Sequence, residues 1–392
     1  MGKRIGIEVS LAVSEAAKLA NVDVISAYPI TPQTHIVEHL SELVADGHLD
    51  AEFIPVESEH TAMSACIGSS AAGARTFTST SSQGLALMLE ICYIAAALRL
   101  PIVMAVANRS LSGPISIWND HADMMMSRDT GWIQIVAENG QEAFDLTVQA
   151  FRIAEDHRVL LPVIVNLDGF TLSHVIEPME MLSQEEVDKY LPPYKPKMRL
   201  DVDNPVSMGP VGIPEVYTEA KKAQDEAINN AKPVIIEAWK EFAKMFGRQY
   251  QPVESYRTEG AETILISMGS ISETAMTAVD AMRAGGRKVG LVRIRLFRPF
   301  PAQEFIAAIK GAKQIAVVDR AMSHSGMGNG QLVTDIKSVL YDQPARPYVW
   351  DFVAGLSGRD VSVENFVEMA DGVEAAAADK LPQGATWINV RE

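Results

Sequence analysis

Short runs of apolar and β-branched residues alternate with helix-like segments through the first 170 residues. Repeated strand–helix units with apolar strands form a parallel sheet that helices cover on both faces, so this alternation constrains the fold most. The predicted strands are Val22–Tyr28, Glu52–Val56, Arg75–Thr80, Ile102–Ala107 and Val163–Leu167, and the predicted helices are Thr34–Ala45, Glu59–Ala72, Gly84–Leu98 and Gln141–Asp156. Residues 110–137 lack periodicity and are predicted as a long loop, which in a compact domain is usually functional.

The pattern changes after residue 172 and again near residue 257. Prolines cluster between residues 192 and 214, and a polar helical stretch, Tyr217–Phe246, follows them. We interpret residues 173–256 as a connecting arm between an α/β domain at 1–172 and a second one at 257–392. The strand candidates of the second domain are Thr263–Met268, Lys288–Ile294, Gln314–Asp319 and Tyr348–Val353.

The charge balance argues against nucleic-acid and membrane partners. The 392 residues carry a formal net charge of −16, which repels both a phosphate backbone and an anionic lipid surface. The most apolar stretch, Leu85–Ala107, is interrupted by Glu90, Arg99 and Pro101, so it does not predict a membrane span. The N-terminus shows no signal-peptide pattern.

Only two cysteines occur, Cys66 and Cys92. Two isolated thiols can neither form a disulfide framework nor ligate an iron–sulfur cluster. We interpret both as buried small side chains in a reducing cytoplasm. Any cluster that serves this protein must therefore be carried by another chain.

Polar residues follow the carboxyl end of every predicted strand in the first domain. Ligands of open parallel sheets bind beyond this edge. Glu59 opens a helix whose remaining face consists of small residues, so another chain or a flat ligand can approach this helix closely. The helix N-terminus would stabilise its carboxylate, and a simple capping charge is the alternative interpretation.

Arg109 and Thr31 lie at the same predicted edge. An arginine directly after an apolar strand can pair with a ligand carboxylate in bidentate fashion. The alternative is an internal salt bridge to Asp120, Asp123 or Asp129. Thr31 can offer its hydroxyl to a substrate or can belong to an ordinary turn between two prolines.

Two motifs resemble other kinds of site only weakly. His35 and His39 match a His-x-x-Glu-His zinc pattern, but no third ligand is evident and an ordinary amphipathic helix is favoured, so no metal ligand is expected in this chain. The segment Gly326–Gly330 resembles a dinucleotide loop but lacks its last glycine. The chain also lacks a Gly-Asp-Gly motif followed by paired asparagines, the pattern that holds a pyrophosphate through magnesium.

Several motifs in order resemble the alpha subunits of pyruvate:ferredoxin oxidoreductases, within the 2-oxoacid:ferredoxin oxidoreductase family. The likeness covers nearly the whole chain. The motifs are Tyr28–Pro32, Glu57–His60, Thr80–Gly84, Ser116–His121, Arg128–Trp132, Phe297–Pro301 and Gly355–Asp360.

The resemblance implies a fold, an activity and partners. The fold is α/β, with a parallel-sheet pyrimidine-binding domain for thiamine diphosphate followed by a transketolase C-terminal-like domain. The activity is oxidative decarboxylation of pyruvate with coenzyme A as co-substrate, or its reverse. The implied partners are a pyrophosphate-binding beta subunit with Mg2+, a gamma subunit, a ferredoxin-like delta subunit with [4Fe-4S] clusters, and ferredoxin as electron carrier.

The resemblance also implies roles for individual residues. Glu59 would hydrogen-bond the aminopyrimidine ring nitrogen, Arg109 would pair with the oxoacid carboxylate, and Thr31 would hydrogen-bond the substrate. Other 2-oxoacids (2-oxoglutarate, branched-chain or aryl, such as phenylglyoxylate) remain open, as do a non-catalytic scaffold and a stand-alone decarboxylase. Further cofactor contacts would come from Pro29, Ser82 and Gln83, and the substrate loop would contain Ile117, Asn119 and Asp120.

Overall fold

Two parallel sheets with helices on both faces organise the computed structural model, which describes residues 3–375 and 384–391. The strands are β1 Lys3–Glu8, β2 Val24–Ala27, β3 Glu52–Pro55, β4 Thr76–Thr80, β5 Val103–Asn108, β6 Ile133–Val136, β7 Val163–Asp168, β8 Ile176–Met181, β9 Val253–Tyr256, β10 Thr263–Ser267, β11 Val289–Ile294, β12 Leu296–Arg298, β13 Gln314–Asp319, β14 Tyr348–Val353 and β15 Thr386–Trp387. The helices are α1 Val9–Leu19, α2 Thr34–Ala45, α3 Glu59–Ala71, α4 Ser82–Ala97, α5 Ala122–Met126, α6 Gly140–Ala154, α7 Gln184–Tyr190, α8 Pro214–Phe246, α9 Ile271–Ala284, α10 Ala302–Ala308, α11 Gln331–Leu340 and α12 Val363–Ala375.

The first sheet has the strand order β12-β6-β7-β5-β4-β2-β3. Strands β2 to β7 run parallel to their neighbours, and β12 joins the edge antiparallel to β6. Every residue of β5 and β7 is buried, because helices cover both faces of the sheet. The prediction of a parallel-sheet α/β domain at the start of the chain is confirmed.

The segment 110–137 contains more regular structure than its sequence predicts. It includes the short helix α5 and the edge strand β6. All four residues of β6 are buried, including the polar Gln134. It pairs with β7, the next strand along the chain, and with β12, whose residues come about 160 positions later, so local sequence records only part of its surroundings.

The second sheet has the order β15-β14-β13-β10-β11-β9. Its inner strands are parallel and correspond to the four strand candidates of the sequence, while β9 pairs antiparallel with β11. Helices α9 and α12 pack on one face, and α10 and α11 contribute to the core on the other. The prediction of a second α/β domain is confirmed.

Helix α8 begins with Pro214 at its first turn and ends at Gly247, which adopts a left-handed conformation. Its first half is largely exposed, but Ile235, Trp239 and Phe242 of its second half pack into the core of the first domain. Strand β8, also within residues 173–256, pairs antiparallel with β1. The division of the chain at residues 172 and 256 stays a prediction.

A buried ionic cluster joins the two domains. Glu142 of α6 receives two hydrogen bonds from Arg293, at 2.8 and 2.9 Å, and one from Arg295 at 2.6 Å. Burial alone would raise the pKa of Glu142, but the two guanidinium groups outweigh it and lower that pKa to about 2. The ionised carboxylate therefore links α6 to β11 and to the residues that precede β12.

Cys66 and Cys92 are buried free thiols, as predicted. Burial raises the pKa of each to about 12, so neither side chain is a reactive thiolate. Within the described ranges, no helix combines the length and the apolar character that a membrane crossing requires.

Candidate active site

The polar residues singled out in the sequence gather at one edge of the first sheet. Strands β2, β4 and β5 are neighbours in the order β5-β4-β2-β3, and each ends at this edge. The Tyr28–Gln33 turn follows β2, the N-terminus of α4 follows β4, and Arg109 follows β5. Glu59 opens α3, which follows β3.

Glu59 is buried, with 7% of its surface exposed, at the first position of α3. Ser58 provides the helix cap, since its side chain accepts a hydrogen bond from the Thr61 amide at 3.3 Å. Within the described part of the chain, no hydrogen bond or ion pair reaches the Glu59 carboxylate. Ser58 therefore makes the side-chain cap, and the Glu59 carboxylate stays free to accept a hydrogen bond from a ligand at the helix N-terminus, whose partial positive charge stabilises it.

Gly84 of α4 provides the space for this carboxylate. A Cβ at position 84 would lie 2.7 Å from Oε1 of Glu59 and 2.4 Å from Oγ1 of Thr80. Oγ1 of Thr80 is itself buried without a hydrogen-bond partner. A glycine here thus allows α4 to approach a pair of polar atoms that nothing else in the described residues satisfies.

Arg109 and Thr31 are in direct contact. Nη1 of Arg109 donates to the Thr31 carbonyl at 2.9 Å, and its Nε donates to the Ser116 carbonyl at 2.8 Å. No carboxylate of the described residues lies within ion-pair distance of the guanidinium, so the predicted alternative of an internal salt bridge does not appear there. Burial lowers the pKa of Arg109, yet an arginine keeps its charge, and an anionic ligand can still pair with it.

Asp123 organises this edge of the sheet and was considered in the sequence only as a salt-bridge partner. Its carboxylate accepts from the backbone amides of Ser82 at 2.9 Å, Arg109 at 3.0 Å and Met124 at 2.7 Å. It also accepts from the Asn108 side chain at 2.9 Å. Burial raises the pKa of Asp123 to about 7, against the effect of these donors.

Gln33 was missed by sequence reasoning and fixes the turn after β2. Its Nε2 donates to the Ser79 carbonyl at 2.9 Å and to the Ser79 hydroxyl at 2.7 Å. Its Oε1 accepts from the Ile30 amide at 3.2 Å. The turn that presents Pro29 and Thr31 to solvent is thereby tied to the end of β4.

Ser82 and Gln83 hold the start of the long loop. Ser82 has a φ of 48°, a left-handed conformation that is uncommon outside glycine, and its hydroxyl donates to the Ser110 carbonyl at 2.6 Å. The side-chain oxygen of Gln83 accepts from the Ser112 amide at 3.0 Å. Both predicted cofactor contacts thus lie beside Arg109 in the structure.

The apolar residues of the loop face outward. Ile117 is 43% exposed and Trp118 is 50% exposed. The Trp118 ring packs on Phe170, with centroids 4.9 Å apart. Exposed apolar side chains in an anchored loop can contact a ligand or a second chain.

The two polar loop residues, Asn119 and Asp120, are buried against neighbouring loops. Oδ1 of Asn119 accepts from the Thr171 hydroxyl at 3.2 Å. Oδ2 of Asp120 accepts from the Ser357 amide of the second domain at 3.2 Å. These contacts anchor the loop, and the predicted substrate roles of both residues stay predictions.

The Gly326–Gly330 segment precedes α11, whose N-terminal amides are already occupied. The buried Asp319 carboxylate accepts from Leu332 at 2.8 Å and from Val333 at 2.9 Å, and Asp351 accepts from Gly330 at 2.8 Å. A phosphate could not take these donors without displacing a carboxylate. The geometry therefore does not favour a dinucleotide site.

Comparisons with known proteins agree with the geometry. Residues 15–240 match the family model of the pyruvate flavodoxin/ferredoxin oxidoreductase thiamine diphosphate-binding domain. Residues 261–366 match the model of pyruvate:ferredoxin oxidoreductase core domain II.

Two curated relatives cover nearly the whole chain. Pyruvate synthase subunit PorA of Methanothermobacter thermautotrophicus is 48% identical over 98% of this chain and 98% of its own. Ketoisovalerate oxidoreductase subunit VorA of Pyrococcus horikoshii is 43% identical over 97% of this chain and 96% of its own.

Among solved structures, the 2-oxoglutarate:ferredoxin oxidoreductase of Magnetococcus marinus shares the fold, with a TM-score of 0.71 at 20% identity. The match covers 95% of this chain and 65% of that chain, so this chain spans less than two-thirds of that protein. The resemblance identified from the sequence motifs is confirmed: this chain belongs to the pyruvate flavodoxin/ferredoxin oxidoreductase family.

Proposed function

We propose that this chain binds the pyrimidine half of thiamine diphosphate in a pyruvate:ferredoxin oxidoreductase. The assembled enzyme converts pyruvate and coenzyme A to acetyl-CoA and carbon dioxide while it reduces ferredoxin, or runs the reverse reaction. The single observation that carries the proposal is the buried Glu59 carboxylate, for which the described residues supply no hydrogen bond or ion pair. Family membership supports the same assignment.

The residues around Glu59 fit the pyrimidine ring. A Cβ at Gly84 would lie within 2.7 Å of both the Glu59 carboxylate and the Thr80 hydroxyl, and neither group has a hydrogen-bond partner among the described residues. The Glu59 carboxylate would accept a hydrogen bond from a ring N–H and exchange that proton with the ring nitrogen, which is a general acid–base role. When bound, thiamine diphosphate supplies a nucleophilic carbon and an electron sink for decarboxylation. Pro29, Ser82 and Gln83 would border the same ring.

Arg109 and Thr31 would bind the substrate. Two nitrogens of the guanidinium are fixed on backbone carbonyls, which orients the remaining Nη2 without an opposing carboxylate. The charge can then pair with the carboxylate of a 2-oxoacid, and the exposed Thr31 hydroxyl can hydrogen-bond it. Ile117 supplies an apolar contact for the methyl group of pyruvate.

The rest of the active site would come from partner subunits. Helix α4, whose N-terminus borders the site, exposes Leu87, Tyr93 and Ile94 along its length, as expected of a face that another subunit covers. A beta subunit would supply the pyrophosphate site with Mg2+, and gamma and ferredoxin-like delta subunits would complete the assembly with its [4Fe-4S] clusters. We place the complex in the cytoplasm, where the two free thiols stay reduced.

The relative named for ketoisovalerate makes a branched-chain 2-oxoacid the second candidate substrate. Measurement of kcat/KM for pyruvate, 2-oxoisovalerate, 2-oxoglutarate and phenylglyoxylate in the assembled enzyme would separate them. We expect pyruvate to be preferred. A preference for any other acid would leave the family assignment intact and show that pyruvate is not the substrate.

The role of Glu59 is tested by Glu59→Gln in the same complex. General acid–base groups contribute roughly 100- to 10,000-fold, so we expect kcat to fall on that scale while the complex still assembles. Glu57→Gln is the matched control, because it makes the same chemical change at an exposed carboxylate two residues earlier. Near-normal turnover of Glu59→Gln would refute the assignment.

A further inference from the structure

Three side chains that can ligate a metal converge beside the start of α2. Glu8 ends β1, His35 lies in the first turn of α2, and His174 lies in the loop after β7. One nitrogen or carboxylate oxygen from each residue lies within 4.8 Å of the other two. All three residues are partly exposed, so an ion from solution can reach them.

The sequence pattern pointed to a different pair of histidines. His35 and His39 lie one helical turn apart, but Nε2 of His39 lies 3.0 Å from Oε1 of Glu15. Nδ1 of His35 instead lies 2.6 Å from Oε1 of Glu8. His174 is the further ligand that the His-x-x-Glu-His pattern does not contain. It is 139 positions away from His35 in the chain, and only the fold brings the two together.

An ion pair between Glu8 and His35 does not by itself explain His174. The rings of His35 and His174 have centroids 4.4 Å apart, and two charged imidazoles at that distance would repel each other. A neutral imidazole, by contrast, can share a metal ion with its neighbour, since that form binds metal ions without proton competition.

The surroundings of His174 orient its ring. Oγ of Ser173 lies 2.7 Å from Nδ1 of His174, and the same oxygen accepts from the Phe170 amide at 2.9 Å. The His174 ring also packs on Phe170, with centroids 4.6 Å apart. An outer hydrogen bond to a ligating histidine of this kind fixes the ring and tunes its basicity.

We propose that Glu8, His35 and His174 form a binding site for a divalent transition-metal ion such as Zn2+ or Co2+. Two nitrogens and one carboxylate oxygen suit these ions, whereas Ca2+ and Mg2+ prefer oxygen ligands throughout. Three protein ligands leave a further coordination position for water. The ion would tie β1 and the loop after β7 to α2, next to the Phe170 ring on which Trp118 of the substrate loop packs.

The full chain, purified without a histidine tag, can be titrated with Co2+ and followed by its visible absorption. We expect one saturable Co2+ per chain, displaced by Zn2+. His35→Gln and His174→Gln should each weaken the binding by more than the roughly 10- to 100-fold that loss of an outer-shell partner costs. Glu8→Gln, nearly the same in shape, should also weaken it. His39→Gln is the matched control on the same helix and should bind as the wild type does.

Circular dichroism establishes that each variant is folded before its affinity is compared, and Glu8→Gln carries the test if a histidine variant unfolds. A wild-type chain with no saturable Co2+ binding would overturn the proposal. Unchanged affinity in the folded ligand variants, or an equal loss in His39→Gln, would overturn it as well.

Discussion

Replacement of Arg109 by alanine should abolish recognition of the 2-oxoacid carboxylate. Arg109 is 6% exposed and forms no ion pair with the described residues, so its charge is available to the substrate. Loss of one partner from a desolvated charge pair costs roughly 2–5 kcal/mol. At 1.36 kcal/mol for each factor of ten, kcat/KM should fall by about 30- to 5,000-fold.

The same substitution also removes structural contacts, and these must be separated from catalysis. Arg109 donates to two backbone carbonyls, each hydrogen bond contributing about 0.5–1.5 kcal/mol to stability. Arg99, in the turn between α4 and β5, offers a matched control, because its guanidinium also donates to two carbonyls, those of Leu160 and Val159, and is partly buried. Arg99→Ala should lose comparable stability and keep its activity.

The assay measures pyruvate-dependent dye reduction by assembled complexes that carry either variant, together with their thermal unfolding. Arg109→Ala should be far less active than Arg99→Ala at similar stability. Equal activity of the two variants would show that Arg109 is only an anchor for the turn and the loop.

Two further predictions concern the support of the site and the domain junction. Gly84→Ala should reduce turnover of the assembled enzyme by about 100-fold, because its Cβ displaces the Glu59 carboxylate. Gly372→Ala is the control and should leave turnover unchanged, since its Cβ meets only the Phe352 ring at 3.6 Å. Equal turnover of the two variants would contradict the role of Gly84 in making space for Glu59. Glu142 has a folded pKa of about 2 against an ordinary value of 4.5, so its stabilisation of about 3 kcal/mol is present above pH 4.5 and is lost as the pH falls towards 2. Urea unfolding should give Glu142→Gln a lower free energy of unfolding than wild type at pH 6, and the difference between the two should narrow by pH 3. A difference that does not change with pH would show that the ionised Glu142 does not stabilise the fold.

The parallel sheets could be predicted because buried strands leave continuous apolar runs in the sequence. Strand β6 could not, since its four residues follow an irregular loop and its partner β12 lies about 160 residues later. The pairing of β1 with β8 escaped prediction for the same reason. Each of these strands depends on contacts between distant segments, which local patterns do not record.

The candidate site followed from strand topology more than from individual residues. Glu59, Arg109 and Thr31 could be grouped because parallel strands end at one edge of the sheet. Asp123 and Gln33 could not be assigned, because both act mainly on backbone groups that are distant in sequence, such as the amide of Ser82. His174 was missed because only the fold brings it to His35.

The central claim is that this chain supplies one half of a shared active site. The most direct measurement is the rate of ferredoxin reduction with pyruvate, coenzyme A, thiamine diphosphate and Mg2+. It compares the purified chain alone with the complex that the chain forms with its co-purifying partner subunits. We expect the chain alone to be colourless and inactive, since its two buried cysteines cannot hold a cluster and it lacks the magnesium–pyrophosphate motif. The complex should be active and should show iron-dependent absorbance. Pyruvate oxidation by the chain alone would contradict the account.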